Sequence, residues 1–586
     1  MIDALADLCA SFAAYALLAT ACIGWGRLAA LALGMRFEGT ARLFHLAWLG
    51  FSTTLALFQG VHFLLPLAAP VSLSWLGIGI LAAVLLLRRA EGADGAEGGL
   101  RGQGWFAVGT VLIASWLALR AMAVPANYDS GLYHFQAIRW MREFPIVPGL
   151  ANLHDRLALN LSFHGAAAAW DVHPFWGHGR NVALSFVLLL LSVECLRGAI
   201  RFFGALRRGA GIAASDAVPA LALPLVLCLP LRHDLASPNS DLATLAVQLA
   251  FFLRFARFLE EPGPLPRARS KAGLLFVLAA TAGAIKGSNL VYAFAASLVV
   301  LVRIVRLGRA EPGGAAPGLS RLALLPAAIA CLWIARNVAT SGYPAYPSIV
   351  ARVNADWAIS ARDAGEASRW ISGWARRDTR AHGGDEWEPG EGISGWLLPW
   401  LNRIRRETVE VVWPVAAAAF LAAWQWRRRR AGGTGLAPGM ALPLAIPIAA
   451  GALFWFATAP AGRFANALFW TLSMSVALPL ILGLRRDGAA WASRWILAVI
   501  LIVAGGAVHR LGRHPHALWD PIRPGGYQPI PAAGVKVESA KSGLKVHTPV
   551  RGRLTWDAPL PAGPHVRPDL RLRGVGLGSG FTVQPK

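Results

Sequence analysis

The sequence predicts an all-α polytopic membrane protein, on three observations. Of its 586 residues, 55% are hydrophobic and only 15% charged, and the mean hydropathy is +0.48. A soluble chain of this length has no use for so much apolar surface. The apolar residues fall in runs of about 20, the length that crosses a bilayer as a helix. Between those runs, Arg and Lys cluster at alternate connections.

About fourteen such runs can be marked out by length and hydropathy. They lie near 8–34, 43–66, 70–87, 104–124, 180–199, 216–231, 240–258, 272–286, 288–304, 321–339, 409–426, 440–459, 464–484 and 490–507. The short pair 272–286 and 288–304 reads either as two spans or as one re-entrant unit. Pro219, Pro224 and Pro230 fall inside the sixth run and are tolerable there only if neighbouring helices satisfy the freed backbone groups. Residues 1–103 read as accessory membrane helices, 104–510 as a membrane core and 511–586 as a C-terminal domain. In that last part, alternating runs at 534–538 and 543–547 predict a small β-rich unit.

Orientation follows from the basic clusters. Arg88, Arg89 and Arg101, Arg197 to Arg208, Arg254 to Lys271, Arg303 to Arg321, Arg427 to Arg430, and Arg485 to Arg494 all belong to connections of one parity. The short connections of the other parity hold only Arg232, Lys286 and Arg463. Basic connections stay cytoplasmic, so the N-terminus, loops 125–179 and 340–408, and the C-terminal domain are expected outside. Loop 340–408 is rich in Trp (Trp357, Trp370, Trp374, Trp387, Trp396 and Trp400).

The net charge of +24 belongs to this pattern rather than to a nucleic-acid surface. The excess of Arg over Lys fits GC-rich bacterial coding. Cys9, Cys22, Cys195, Cys228 and Cys331 all sit in apolar segments, without the spacing of a disulfide framework or a zinc site. Asp3 and Asp7 occupy the N-terminus in place of a basic region, unlike a typical cleavable signal peptide. Phosphate-binding and dinucleotide-binding glycine motifs are absent.

The most informative segment is 127–134, where Asn127, Tyr128, Asp129, Ser130, Tyr133 and His134 follow the fourth apolar run. Leu132, Phe135, Ile138 and Met141 then share one helical face, which predicts a helix lying in the membrane interface. Asp129 reads either as a general base or metal-bridging carboxylate, or as the cap of that helix together with Ser130. Tyr128 and Tyr133 suit interfacial aromatics. His134, His154, His164, His173 and His178 share the loop without ligand spacing, so they read chiefly as solvated or supporting groups.

Other ionisable groups gather at the ends of runs on the same side. Asp234 and Asp241 lie in one connection, where Asp241 either caps a helix or joins Asp129 at a common cavity. Lys286 is the sole Lys at an outer span end. An ionisable group at membrane depth is a functional candidate, and an ammonium suits a phosphate oxygen. Snorkelling to the headgroups is the alternative. Arg336 and Asn337 lead into 341–347, and Arg463 stands at a further outer end.

Taken together, these residues resemble the GT-C superfamily of membrane glycosyltransferases, which includes aminoarabinose and protein mannosyl transferases. Asp129 matches that family's catalytic carboxylate on its first outer loop, and Asp234 and Asp241 are offered for its second acid. The segment Arg336, Asn337, Gly342, Pro344 and Pro347 is similar to its Arg-Asn…Gly-x-Pro-x-x-Pro element. The likeness covers roughly 104–475 and departs at the front, where three spans precede the helix that leads into the acidic loop. It departs again after Asp129, where Ser130 stands in place of the second of the family's adjacent acids, the pair associated with metal dependence.

The resemblance implies a GT-C-like core in a bacterial inner membrane, with the loops and C-terminus periplasmic. It implies transfer of a sugar from a polyprenyl-phosphate donor to a glycan, lipid or protein acceptor. Asp129 would be catalytic, with Tyr128, His134, Asp234, Asp241, Lys286, Arg336, Asn337 and Arg463 around the substrates. A divalent cation (Mg2+ or Mn2+) is an optional cofactor, and nucleic acid is excluded as a partner. The competing readings are a lipid-linked oligosaccharide flippase, an O-antigen ligase or polymerase, and a non-catalytic scaffold.

Overall fold

The computed structural model describes residues 2–88, 103–232, 234–310, 319–377, 392–430, 440–486, 492–513 and 526–583. Arg89, Arg101, His233 and Trp387 lie outside the described residues.

Helices dominate. α1 (Ile2–Ala32), α2 (Arg42–Val61) and α3 (Ala69–Arg88) form an N-terminal group. They approach through glycines: a Cβ on Gly50 of α2 would fall 1.6 Å from the Cys22 carbonyl of α1. Without a hydrophobic drive between helices in lipid, such close backbone contact is what holds them. α4 (Gln103–Ala121) leads into the first loop, which carries a π turn (Ser130–His134), α5 (Phe135–Glu143), α6 (Leu150–Leu153) and α7 (Phe163–Ala169).

The central bundle follows, with α8 (Gly179–Arg207), α9 (Ala214–Arg232), α10 (Ser240–Glu260), α11 (Leu265–Ile285), α12 (Leu290–Ala310) and α13 (Leu319–Ser341). The second loop carries α14 (Ala361–Arg376), α15 (Ser394–Ile404) and a π turn (Thr408–Val412). α16 (Trp413–Arg430), α17 (Ala441–Thr458), the short α18 (Gly462–Ala465), α19 (Leu468–Arg486) and α20 (Ala492–Arg513) complete it.

Among the described residues, eleven helices are long and apolar enough to cross a membrane: α1, α3, α4, α8 to α13, α16 and α17. The other three apolar runs are also helices. α2 is diluted by Ser52, Thr53, Thr54 and Gln59, and α19 and α20 contain shorter apolar stretches. Runs 272–286 and 288–304 are not one re-entrant unit. α11 begins earlier, at Leu265, so α11 and α12 have 21 residues each, about 30 Å. α9 runs through its three prolines, packed among α8, α10, α19 and α20.

Connections of like parity meet each other. On the basic face Arg267 pairs with Glu38 at 2.7 Å, and Arg257 donates to Ser215 Oγ at 2.9 Å. On the opposite face, the Leu67 N–H donates to the Met141 carbonyl at 2.7 Å, and the Ile146 N–H to that of His62 at 2.8 Å.

The C-terminal unit is β-rich as its alternation implied. β1 (Val535–Ser539) and β2 (Lys545–Pro549) form an antiparallel hairpin with Val537 opposite His547, and β3 (Leu570–Leu572) pairs with β4 (Phe581–Val583). It covers the first loop. Val546, Leu570 and Phe581 share a core with Leu132, Tyr133 and Trp140, while Ile138 and Met141 join the core of the bundle. The segment expected to lie in the membrane interface is therefore enclosed by protein on both sides. Its second face, with Tyr133, Ala137 and Trp140, is apolar enough to be buried as well.

Candidate functional site: two ion pairs on the loop face

Two of the three acids singled out in the sequence, Asp129 and Asp241, are presented by the same local device. Asn127 Oδ1 accepts the N–H of Asp129 at 2.9 Å and of Ser130 at 3.3 Å. Asn239 Oδ1 accepts the N–H of Asp241 at 2.8 Å. In each Asn-x-Asp turn the Asn satisfies the N–H groups that open a helix. Asp129 makes no capping bond with its own side chain. Both carboxylates are thereby left to point at a cation.

Arg463 Nη1 donates to Asp129 Oδ2 at 2.8 Å, and Lys286 Nζ donates to Asp241 Oδ1. Phe464 links the pairs, with the Lys286 ammonium 4.3 Å and the Arg463 guanidinium 4.9 Å from its ring centre. Trp374 of α14 adds a second face to Arg463 at 4.4 Å. Lys286 is not snorkelling to headgroups: only 13% of its side chain is exposed.

The turn carrying Arg463 is fixed from several sides. Trp400 Nε1 donates to the Pro460 carbonyl at 2.6 Å, Trp455 Nε1 to that of Ala461 at 2.8 Å, and the Gly462 N–H to Glu407 Oε2 at 2.6 Å. Asn466 Nδ2 then reaches Ser288 Oγ at 3.2 Å, and the Ala467 N–H reaches Gln248 Oε1 of α10 at 3.0 Å. The chain segments of Arg463, Lys286 and Asp241 are thus tied together.

Both pairs act on common neighbours. Burial raises the Tyr133 phenol pKa, and the charges of Asp129 and Asp241 raise it further. Burial lowers Lys286, opposed by Asp241 and reinforced by Arg463. Burial also works against the charge of Arg463, but Asp129, Asp241 and Tyr133 outweigh it and raise its pKa. Beneath them Ser130 Oγ contacts His134 Nδ1 at 2.9 Å, and the His134 and His164 rings stand 4.7 Å apart. Burial holds His134 down to about 3, with Asp241 opposing and Arg463 and Lys286 assisting.

Several expectations need correction. His134, His154 and His164 are not solvated; they are 3%, 5% and 1% exposed. Asp234 is a structural staple, since its carboxylate accepts the N–H of Ala126, Asn127 and Ala236 and the hydroxyl of Ser237. Arg336 stands apart from the acids, bonded through Nη1 to His62 Nδ1 at 2.7 Å beside Trp140, Met141 and Ile146. Asn337 is wholly buried and bonds back to the Trp333 carbonyl within α13. Tyr128 is 45% exposed beside Asp129.

Sequence reasoning missed Trp374, Phe464, Glu407 and the two capping asparagines. Only the repeated Asn-x-Asp spacing carried a local signal. Among the described residues no three His, Cys, Asp or Glu side chains gather as ligands, and each acid already faces a fixed cation. What remains is a polar, aromatic-lined cluster of two carboxylates and two cations, suited to exchanging an internal anion for an external one.

The family model for a domain of unknown function (DUF8201) matches residues 9–470. The match takes in all four charged residues of the cluster and stops short of the C-terminal β unit. No curated protein and no solved structure matches the chain.

Proposed function

The chain belongs to the DUF8201 family, and from its paired charges we propose that it is a membrane glycosyltransferase. It takes a sugar from a polyprenyl-phosphate donor to an extracytoplasmic glycan, lipid or protein acceptor. The reading is that of a GT-C-like core with about fourteen spans. It sits in a bacterial inner membrane with the basic connections cytoplasmic and the two long loops periplasmic. The observation that carries it is the convergence of Asp129–Arg463 and Asp241–Lys286 around Phe464 at span ends.

The chemistry follows from the charges. The donor's phosphodiester, a monoanion with two free oxygens, competes with the carboxylates for Arg463 and Lys286, and it gains its second negative charge beside those two cations as the sugar leaves it. Asp129, released from Arg463, accepts the proton of the acceptor hydroxyl. The acceptor oxygen attacks the anomeric carbon as the bond from that carbon to the phosphate oxygen breaks, and the electron pair leaves with the lipid phosphate. Arg463 and Lys286 meet the charge that develops there. A low-dielectric, aromatic surround strengthens both contacts.

Donor binding tests this reading. Lys286→Gln and Arg463→Gln each weaken retention of a labelled polyprenyl-phosphate sugar by the purified protein about tenfold or more, as loss of a charge-assisted hydrogen bond requires. Equal retention by wild type and both variants contradicts the reading.

A further inference from the structure

The C-terminal β unit reaches into the site segment itself. Thr555 and Trp556 both donate their backbone N–H to the Gly131 carbonyl, at 2.9 and 2.7 Å. Gly131 lies in the π turn two residues after Asp129. The Trp556 indole closes over it so tightly that a Cβ on Gly131 would come within 2.8 Å of the ring. Trp556 holds φ at +46°, a conformation that a bulky residue keeps only where its surroundings enforce it.

The surroundings do so. Gln136 Nε2 donates to the carbonyls of Trp556 and Ala558 at 3.0 and 2.9 Å. Arg139 donates to the Asp557 carbonyl at 2.9 Å, and Arg180 of α8 reaches the Asp557 carboxylate at 3.3 Å. At the other end of the same unit, the Phe581 N–H donates to the Pro148 carbonyl at 3.0 Å. Asn152 Nδ2 donates to the Phe581 carbonyl at 3.2 Å. A widened π turn is an uncommon conformation that occurs frequently at functional sites, and here two N–H donors and an indole from outside grip its centre.

We infer that the strap 555–558 is a built-in positioning element of the Asp129 site, with Trp556 the positioning residue that fixes the turn on which Asp129 faces Arg463. The kinetic part of this inference rests on the proposed transferase reading; the structural part does not. The β unit is then a working part of the site although it lies beyond the family match.

The test uses the full-length protein purified in detergent, with Trp556→Ala, Trp556→Phe, Gly131→Ala and the double variant Gly131→Ala/Trp556→Ala. Amide hydrogen exchange is followed across 130–137, and kcat and donor KM are measured with labelled donor. Trp556→Ala speeds exchange across the turn about tenfold or more. It lowers kcat by about 10- to 100-fold with donor KM held within about threefold. Trp556→Phe recovers most of both effects. Gly131→Ala behaves like Trp556→Ala, and the double variant is no worse than either single one, because the added methyl then occupies the space of the lost indole.

Unchanged exchange at 130–137 in Trp556→Ala overturns the inference. So does a fall in thermal stability and a rise in KM that Trp556→Phe fails to repair, since that marks a generic packing contact. If wild type transfers no sugar, the exchange data still decide whether the strap positions the turn, and the failure belongs to the transferase reading alone.

Discussion

Arg463 reaches back across 334 residues of sequence to hold Asp129 Oδ2 at 2.8 Å. The contact joins the first loop to the turn between α17 and α19, and it engages the Asp129 carboxylate. Arg463 also packs against the rings of Trp374 and Phe464, so its planar shape matters as well as its charge. Arg463→Lys keeps the charge but loses the stacking and the fork geometry. Donor KM is expected to rise about tenfold, the equivalent of one partly desolvated cation–π contact, with protein yield unchanged. Steady-state kinetics of the variant check this.

Lys286 and Asp241 form the more enclosed pair, with side chains 13% and 17% exposed. Lys286→Met removes the cation from beside a buried acid and should cost about 3 kcal/mol of stability. Lys286→Met/Asp241→Asn should recover most of that loss, because neither charge then needs a partner, while donor binding stays impaired. Thermal unfolding of the two variants beside wild type measures the difference. A double variant no more stable than the single one contradicts the pairing.

Asp234 gathers the N–H groups of Ala126 and Asn127, just ahead of the Asn127 cap. Asp234→Ala should therefore lower stability by about 2 kcal/mol. Its effect on turnover should appear in kcat rather than in donor KM. A rise in KM alone would return Asp234 to the substrate contacts.

His134 contributes to the response to acid. Burial keeps its pKa at about 3 in the folded protein, against about 6.5 for an unfolded chain. Below pH 6.5 the unfolded chain binds a proton that the folded protein does not, so stability is complete above that pH and declines as pH falls toward 3. The slope is about 1.4 kcal/mol per pH unit for each such proton. Buried His164 is held below its ordinary pKa as well and steepens the decline. Melting temperatures between pH 7 and pH 5 should fall more steeply for wild type than for His134→Gln.

The helices were legible because each needs only a local run of apolar residues, and the β1–β2 hairpin because alternation with a Gly-containing turn is also local. α11 was misjudged at its start, since the basic stretch from Arg267 to Lys271 lies on the helix near its N-terminus and hides its first turns. Asp129, Asp241, Lys286 and Arg463 could be picked out because ionisable groups at span ends are conspicuous. Asp234 and Asp241 could not be told apart, as the difference lies in which backbone N–H groups surround them. Arg336 looked equivalent to Arg463, yet the rotation of α13 turns it toward His62. Trp374 and Phe464 gave no signal among the many aromatics of the chain, because their role comes entirely from tertiary contact.

Asp129 is the group on which the proposed reaction turns, and its replacement is the most direct test. Purified wild type and Asp129→Asn are compared for transfer of labelled sugar from a polyprenyl-phosphate donor to extracytoplasmic acceptors. Loss of a general base should lower turnover by about 100-fold or more while donor retention persists, since Arg463 and Lys286 remain. Undiminished transfer by a well-folded Asp129→Asn protein would contradict the account.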